Sequence, residues 1–159
     1  MTEGSGGDGA MTEGSSDAGA ITVRVVAPGD DADLSGAYAL RHEVFVIGQN
    51  VPAELELDDL DPVCDHAIAT AGGVVVGTGR LLPSGVIGRM AVAADRRGIG
   101  VGAAVLAALE DRARERGHRG VELHAQLHAA GFYDQAGYTR VSEVYLEAGI
   151  EHVTMRKQL

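Results

Sequence analysis

The chain has 159 residues, 45% hydrophobic and 23% charged, which is enough apolar material for one packed domain and too much for a wholly disordered chain. A formal net charge of −10 argues against a nucleic-acid backbone as partner. A single cysteine, Cys64, excludes a disulfide framework and a multi-cysteine zinc module. No apolar run approaches the ~20 residues of a membrane-crossing helix, and the first residues lack a basic-then-apolar signal layout, so a cytoplasmic location is expected.

Residues 1–20 contain six glycines, three serines and four acids, and read as a disordered acidic tail ahead of one domain at 21–159. Ile21–Val26 alternates and is β-branched, a strand ended by Pro28-Gly29. An aspartate at 30, 31 or 33 is placed to cap a helix over about 31–47, with Leu34, Ala37, Tyr38, Val44 and Phe45 on one face. Residues 48–64 read as a long acidic loop, 66–71 and 74–82 as a hairpin turned at Gly72-Gly73, and 86–92 as another apolar strand. A helix over about 100–116 turns Val101, Val105, Leu109 and Ala113 inward. It ends in Arg112, Arg114 and Arg116 before Gly117, which suits its dipole. A strand at 121–126, a short helix at 127–136 and a hairpin of 138–145 with 150–156 complete the chain. The order β-α-β-β-β-α-β-α-β-β predicts an α/β fold, an α+β mixed sheet with helices on its faces.

Charge is segregated along this chain. Residues 42–79 carry seven acids and no Lys or Arg, and Glu54, Glu56, Asp58, Asp59, Asp61 and Asp65 crowd into twelve residues. Acids without partners repel one another, so this stretch reads either as an attractor for a cationic ligand or as an ordinary solvated loop.

The most informative stretch is the strand–turn–helix through Arg96-Arg97-Gly98-Ile99-Gly100-Val101-Gly102. Glycines on alternate positions strip Cβ atoms from a turn at a helix N-terminus, where free N–H groups and the positive helix end favour an anion, phosphate above all. The first helical turn holds no Asp or Glu, and Arg96 and Arg97 add positive charge beside it. Two other readings fit the spacing. The glycines could serve only close helix–strand packing, or Gly98, Gly100 and Ala103 could form a dinucleotide fingerprint. The fingerprint wants its first glycine directly after the strand and an acid ending the next one. Here five or six residues intervene, and the next strand ends His124-Ala125-Gln126.

Residues 90–110, MAVAADRRGIGVGAAVLAALE, resemble motif A of the GCN5-related N-acetyltransferases, with Arg97–Gly102 satisfying R-x-x-G-x-G. Phe132–Tyr138 resembles the FYxxxGF element of motif B in that family. Leu40–Val46, Glu56–Asp61, His124–Gln126 and Tyr145–Met155 are similar to the ElaA-like branch, although Gly48 stands where that branch usually has Glu before Gln49. The resemblance covers 21–159 and implies acetyl-CoA as co-substrate, no metal, and a small-molecule or peptide amine as acceptor. It leaves a homodimer open.

On these residues the resemblance implies that backbone N–H groups of Arg97, Gly98, Gly100 and Gly102 hold the pyrophosphate. Met90 and Val92 would bond the pantetheine arm, and Tyr133 would protonate the departing thiolate. A phenol with an ordinary pKa of about 10 is protonated at neutral pH and suits that role. The same Tyr133 also reads as an aromatic anchor for the last helix. The general base is not readable, since His66, His124, His128, Glu143 and His152 all offer themselves. His152 leads because it matches a position of the ElaA-like branch. Glu56 and Asp58 lie in the loop that commonly borders the acceptor in this superfamily, which leaves a cationic amine open as partner beside the reading as a solvated loop. A non-catalytic acyl-CoA-binding module and a dinucleotide-binding protein stay open as alternatives, and Cys64 reads as a buried or loop thiol.

Overall fold

Alternation of apolar residues builds most of a single sheet, and the computed structural model describes it over residues 20–159. The tail expected at 1–20 lies outside the described residues except for Ala20. The strands are β1 (Ile21–Val26), β2 (Asp65–Ala71), β3 (Val74–Leu81), β4 (Val86–Val92), β5 (Gly120–Gln126), β6 (Thr139–Arg140), β7 (Tyr145–Glu147) and β8 (Ile150–Gln158). They lie in the order β1-β2-β3-β4-β5-β8-β6, with β7 also paired to β8. Every neighbour is antiparallel except β4 with β5, which are joined through helix α3 (Val101–Glu115).

The period-2 pattern of β2 sorts its two faces. Ala67, Ala69 and Ala71 join the large core under α3, whereas Ile68 meets Val26 and Ala37 in a smaller core under helix α1 (Ser35–Arg41). Helix α3 presents Val101, Val105, Leu109 and Ala113 at successive turns, all buried. It lies close against β3 because Gly77 and Gly79 have no side chain there. A Cβ on Gly79 would meet Met90 Sδ at 2.6 Å and Leu109 Cδ1 at 2.8 Å, and one on Gly77 would meet Val101 Cγ1 at 2.5 Å.

Four expectations are adjusted by the structure. The first helix starts at Ser35, because Asp33 is the aspartate whose Oδ1 accepts the Ser35 N–H, at 2.9 Å. Past Arg41 it widens into a π-helical turn, His42–Ile47, in place of the plain helix expected there. The acidic loop carries its own short helix, α2 (Ala53–Glu56), and a 3₁₀ turn at Asp61–Val63. The last hairpin is broken between β6 and β7, where Ser142 Oγ accepts the Thr154 N–H at 2.9 Å in place of a ladder carbonyl.

Two irregularities in β4 give it an open edge and a kink. Its register with β5 covers only Val86↔Glu122 and Ile87↔Leu123, so among the described residues Gly88–Val92 has no strand partner on that side. Against β3, Thr78 pairs with Ala91 and Arg80 with Gly88, so Arg89 and Met90 together face Gly79. Arg89 takes φ +49 in this β-bulge, a conformation usually left to glycine.

Candidate active site

Between β4 and α3 the chain passes through a 3₁₀ turn, Ala94–Arg96, and then the glycine-rich turn. After Arg96, Ala104 is the first residue whose N–H reaches a main-chain carbonyl, Gly100 O at 3.0 Å. The N–H groups from Arg97 to Ala103 therefore lack a protein acceptor among the described residues. Gly98 and Gly100 have φ of +80 and +93, and a Cβ on either would meet nothing within 4 Å. Their use is to turn the chain and leave its N–H groups open, at the positive end of a 15-residue helix with no acid in its first turn. Gly102 differs, because a Cβ there would come 3.4 Å from Phe132 Cζ and 3.6 Å from Val92 Cγ2. That contact brings the turn, the end of β4 and helix α4 (Ala130–Gln135) to one place.

Tyr133 follows Phe132 on α4 and is buried, its ring edge-on to Phe132 at 4.9 Å and to Tyr138 at 5.8 Å. The ring packs as an anchor would, while the hydroxyl makes no hydrogen bond among the described residues. Burial pushes its pKa up to about 12, so the phenol keeps its proton at neutral pH. Tyr138 is committed elsewhere. Its hydroxyl donates to Glu110 Oε2 at 2.7 Å, and Lys157 Nζ holds the same carboxylate at 3.1 and 3.2 Å.

The histidines separate by what holds them. His66 is buried, and its Nε2 donates to Asp61 O at 2.9 Å. His124 is exposed between Glu122 and Glu147, 3.4 Å from each. His128 Nε2 sits 2.8 Å from Gln126 Oε1, beside a reciprocal amide pair in which Gln126 Nε2 donates to Gln49 Oε1 at 2.7 Å and Gln49 Nε2 returns at 3.1 Å. His152 lies opposite Gln126 in the β5–β8 register, stacked on Tyr145 at 6.1 Å. Its Nδ1 must donate to Ile150 O at 2.7 Å, which in the neutral ring leaves Nε2 as a lone-pair acceptor. Cys64 is buried with its thiol pushed up to about 11 by burial, which makes it a poor nucleophile.

The acidic loop corrects the reading of unpartnered acids. Arg41, 1% exposed, donates to Glu56 Oε2 at 2.7 Å and to both oxygens of Asp61, at 2.8 and 3.1 Å. Arg80 donates to both oxygens of Asp58, each at 2.8 Å, and to Asp61 Oδ1 at 2.8 Å. Arg89 adds Asp58 Oδ2 at 3.2 Å, and Arg112 and Arg116 hold Asp65. The hydrogen bonds from Arg80 lower Asp58 to about 2. Glu56 and Asp58, expected to draw in a cation, are thus already neutralised by guanidinium groups from outside the acidic stretch. The motif-like stretches Leu40–Val46 and Glu56–Asp61 are themselves joined through Arg41. Sequence reasoning missed Arg41, Arg80 and Arg89 as the loop's framework, and a lone arginine at either end of a base-free stretch was the available signal.

A cavity of about 770 Å³ is lined by residues such as Gly85, Gly120, Glu122 and Arg156 at the starting ends of β4 and β5, and contains no residue of the glycine-rich turn. The open hydrogen-bonding groups mark the site better than enclosed volume does. Among the described residues no helix is long and apolar enough to cross a membrane.

The model of the acetyltransferase (GNAT) domain family matches residues 37–159. The chain is 38% identical to the uncharacterised N-acetyltransferase YjcF of Bacillus subtilis, over 85% of this chain and 99% of that one. It superposes on the crystal structure of Escherichia coli ElaA with TM-score 0.76 and 30% identity, covering 87% of this chain and 100% of ElaA. At 18% identity and TM-score 0.64 it shares its fold with a GNAT family acetyltransferase of Elizabethkingia anophelis solved with acetyl-CoA bound, covering 87% of this chain and 98% of that one.

Proposed function

Because the chain belongs to the GNAT acetyltransferases, in the ElaA-like branch, we propose that it carries an acetyl group from acetyl-CoA to a primary amine of a small molecule or peptide, the amine attacking the thioester directly. The observation that carries this reading is the run of N–H groups from Arg97 to Ala103 without an acceptor among the described residues, with the end of β4 and Phe132 of helix α4 packed against the turn at Gly102. Acetyl-CoA brings the activated acyl group and a thiolate leaving group. The N–H groups of Arg97, Gly98, Gly100 and Gly102 would bind its pyrophosphate, strengthened by the dipole of α3. The partnerless side of β4 at Met90 and Val92 would take the pantetheine arm as a further strand, and an N–H there is suited to polarise the thioester carbonyl.

Tyr133 acts as the acid. It remains protonated at working pH, and burial makes its anion costly, so it hands over its proton only as the thiolate forms. His152 is the base of this scheme, because the bond to Ile150 O fixes its tautomer and leaves Nε2 able to take a proton from the incoming ammonium. Glu56 and Asp58 stabilise the loop instead of binding the amine.

A thermal-shift comparison tests the cradle. At about 100-fold excess over Kd a ligand adds about 2.7 kcal/mol, so acetyl-CoA raises Tm by several degrees and NAD does not. Gly100→Val, whose side chain would sit at φ +93, loses the acetyl-CoA shift and keeps the fold. An undiminished shift in that variant refutes the cradle. Thiol release from acetyl-CoA over a panel of primary amines separates a transferase from a silent binder.

A further inference from the structure

Arg89 departs from its surroundings in two ways. Its backbone holds φ +49 in the bulge of β4, where glycine would be free of strain. Its side chain leaves the sheet and takes hold of the acidic loop. Nη2 donates to Leu55 O at 3.1 Å and Asp58 Oδ2 at 3.2 Å, while Nε donates to Glu56 O at 3.1 Å and lies 3.4 Å from Glu56 Oε2. Two of these acceptors are main-chain carbonyls, so Arg89 fixes the path of Leu55–Asp58 as well as its charge. Arg41 and Arg80 hold the same segment from α1 and β3, but among the described residues Arg89 alone reaches it from β4, inside the partnerless stretch and one residue before Met90. Any displacement of the segment therefore pulls on the bulge that orients the Met90 peptide.

We propose that Arg89 is a positioning residue that makes the Leu55–Asp58 segment and the open edge of β4 one mechanical unit, so that occupation of that edge is felt in the loop. The inference rests on the reading that the open edge takes the thioester arm.

Hydrogen exchange of the loop amides, with and without acetyl-CoA, tests it in the full chain. Arg89→Gly retains the bulge, since glycine accepts φ +49, and removes the clamp. Arg89→Met removes the clamp and retains the strain. Asp58→Asn removes the charge that Arg80 and Arg89 share on the loop side, with no substitution in β4. Without ligand, exchange over 55–58 rises about tenfold or more in both Arg89 variants, the weight of roughly one lost hydrogen bond, and rises in Asp58→Asn as well, where Arg80 and Arg89 both lose a charged acceptor. With acetyl-CoA the parent slows exchange in this segment, and Arg89→Gly binds acetyl-CoA without that slowing. Unchanged loop exchange in unliganded Arg89→Gly overturns the proposal, as does a parent that binds acetyl-CoA with no response at 55–58. If acetyl-CoA produces no thermal shift in the parent, the functional reading fails, and the unliganded exchange still decides the clamp. Should Arg89→Gly not fold, Arg89→Lys replaces it, keeping a cation near Asp58 without the fork that spans two carbonyls.

Discussion

Asp61→Asn separates two opposite views of the acidic loop. If the seven acids between Arg41 and Arg80 merely repelled one another, removing one charge would stabilise the protein. The structure gives the other sign. Asp61 is 5% exposed and accepts three charge-assisted bonds, from Arg41 at 2.8 and 3.1 Å and from Arg80 at 2.8 Å. An asparagine has the same shape, but its amide N–H₂ faces guanidinium donors, and two buried cations lose a shared counter-charge. Breaking a buried ion pair from one side costs about 3–5 kcal/mol, which at about 2–4 °C per kcal/mol for a chain of this size lowers Tm by about 6–20 °C. Asp59, exposed and outside the network, serves as the control, and Asp59→Asn stays within about 0.5 kcal/mol. Urea unfolding of both variants, fitted with an unchanged m-value, gives the comparison. An Asp61→Asn protein as stable as the parent, or more stable, refutes the assignment of the loop's acids to internal pairing.

Tyr133→Phe lowers kcat by about 10²–10⁴-fold with acetyl-CoA KM nearly unchanged, and a loss below about threefold in steady-state thiol release assigns the proton to another donor. Gly79→Ala destabilises by about 1–3 kcal/mol through overpacking, since its Cβ would meet Met90 Sδ at 2.6 Å and Leu109 Cδ1 at 2.8 Å; an unaltered Tm in calorimetry contradicts this. Asp58 is held at about 2, chiefly by its hydrogen bonds to Arg80, and Asp61 and Asp65 are also lowered, their arginine partners outweighing burial. These groups bind protons more readily unfolded than folded, so their stabilisation is present above the ordinary carboxylate value of 3.8 and is lost as pH falls toward about 2. A flat stability profile across that acid range, by denaturant titration, denies the pairing.

Elements that depend on neighbouring residues were legible from the sequence. Helix α3 announced itself through apolar residues every fourth position and a terminal Gly117, and the β2–β3 hairpin through Gly72-Gly73. The glycine-rich turn was readable because its job is local, exposing N–H groups at one helix end. Features that depend on distant partners were not. Arg41, Arg80 and Arg89 lie outside the acidic stretch they neutralise, and no spacing rule links residue 89 to residue 55. The bulge was hidden for a similar reason, because an arginine at φ +49 leaves no glycine to mark it. Tyr133 stood out as a candidate site residue only by resemblance. Its packed ring and its free hydroxyl became distinct once Tyr138 was seen to bond Glu110.

Lys157 has a consequence for the enzyme's own chemistry. It is the only lysine in the chain, the other twelve basic residues being arginines. Its ammonium is fastened to Glu110 and lies 5.6 Å over the Tyr138 ring. A guanidinium keeps its proton at any working pH and offers a thioester no lone pair. Held beside a concentrated acyl donor, this transferase exposes almost no side-chain amine that could be modified in place of its substrate. Intact mass before and after prolonged incubation with acetyl-CoA is therefore expected to change less than that of a lysine-rich protein.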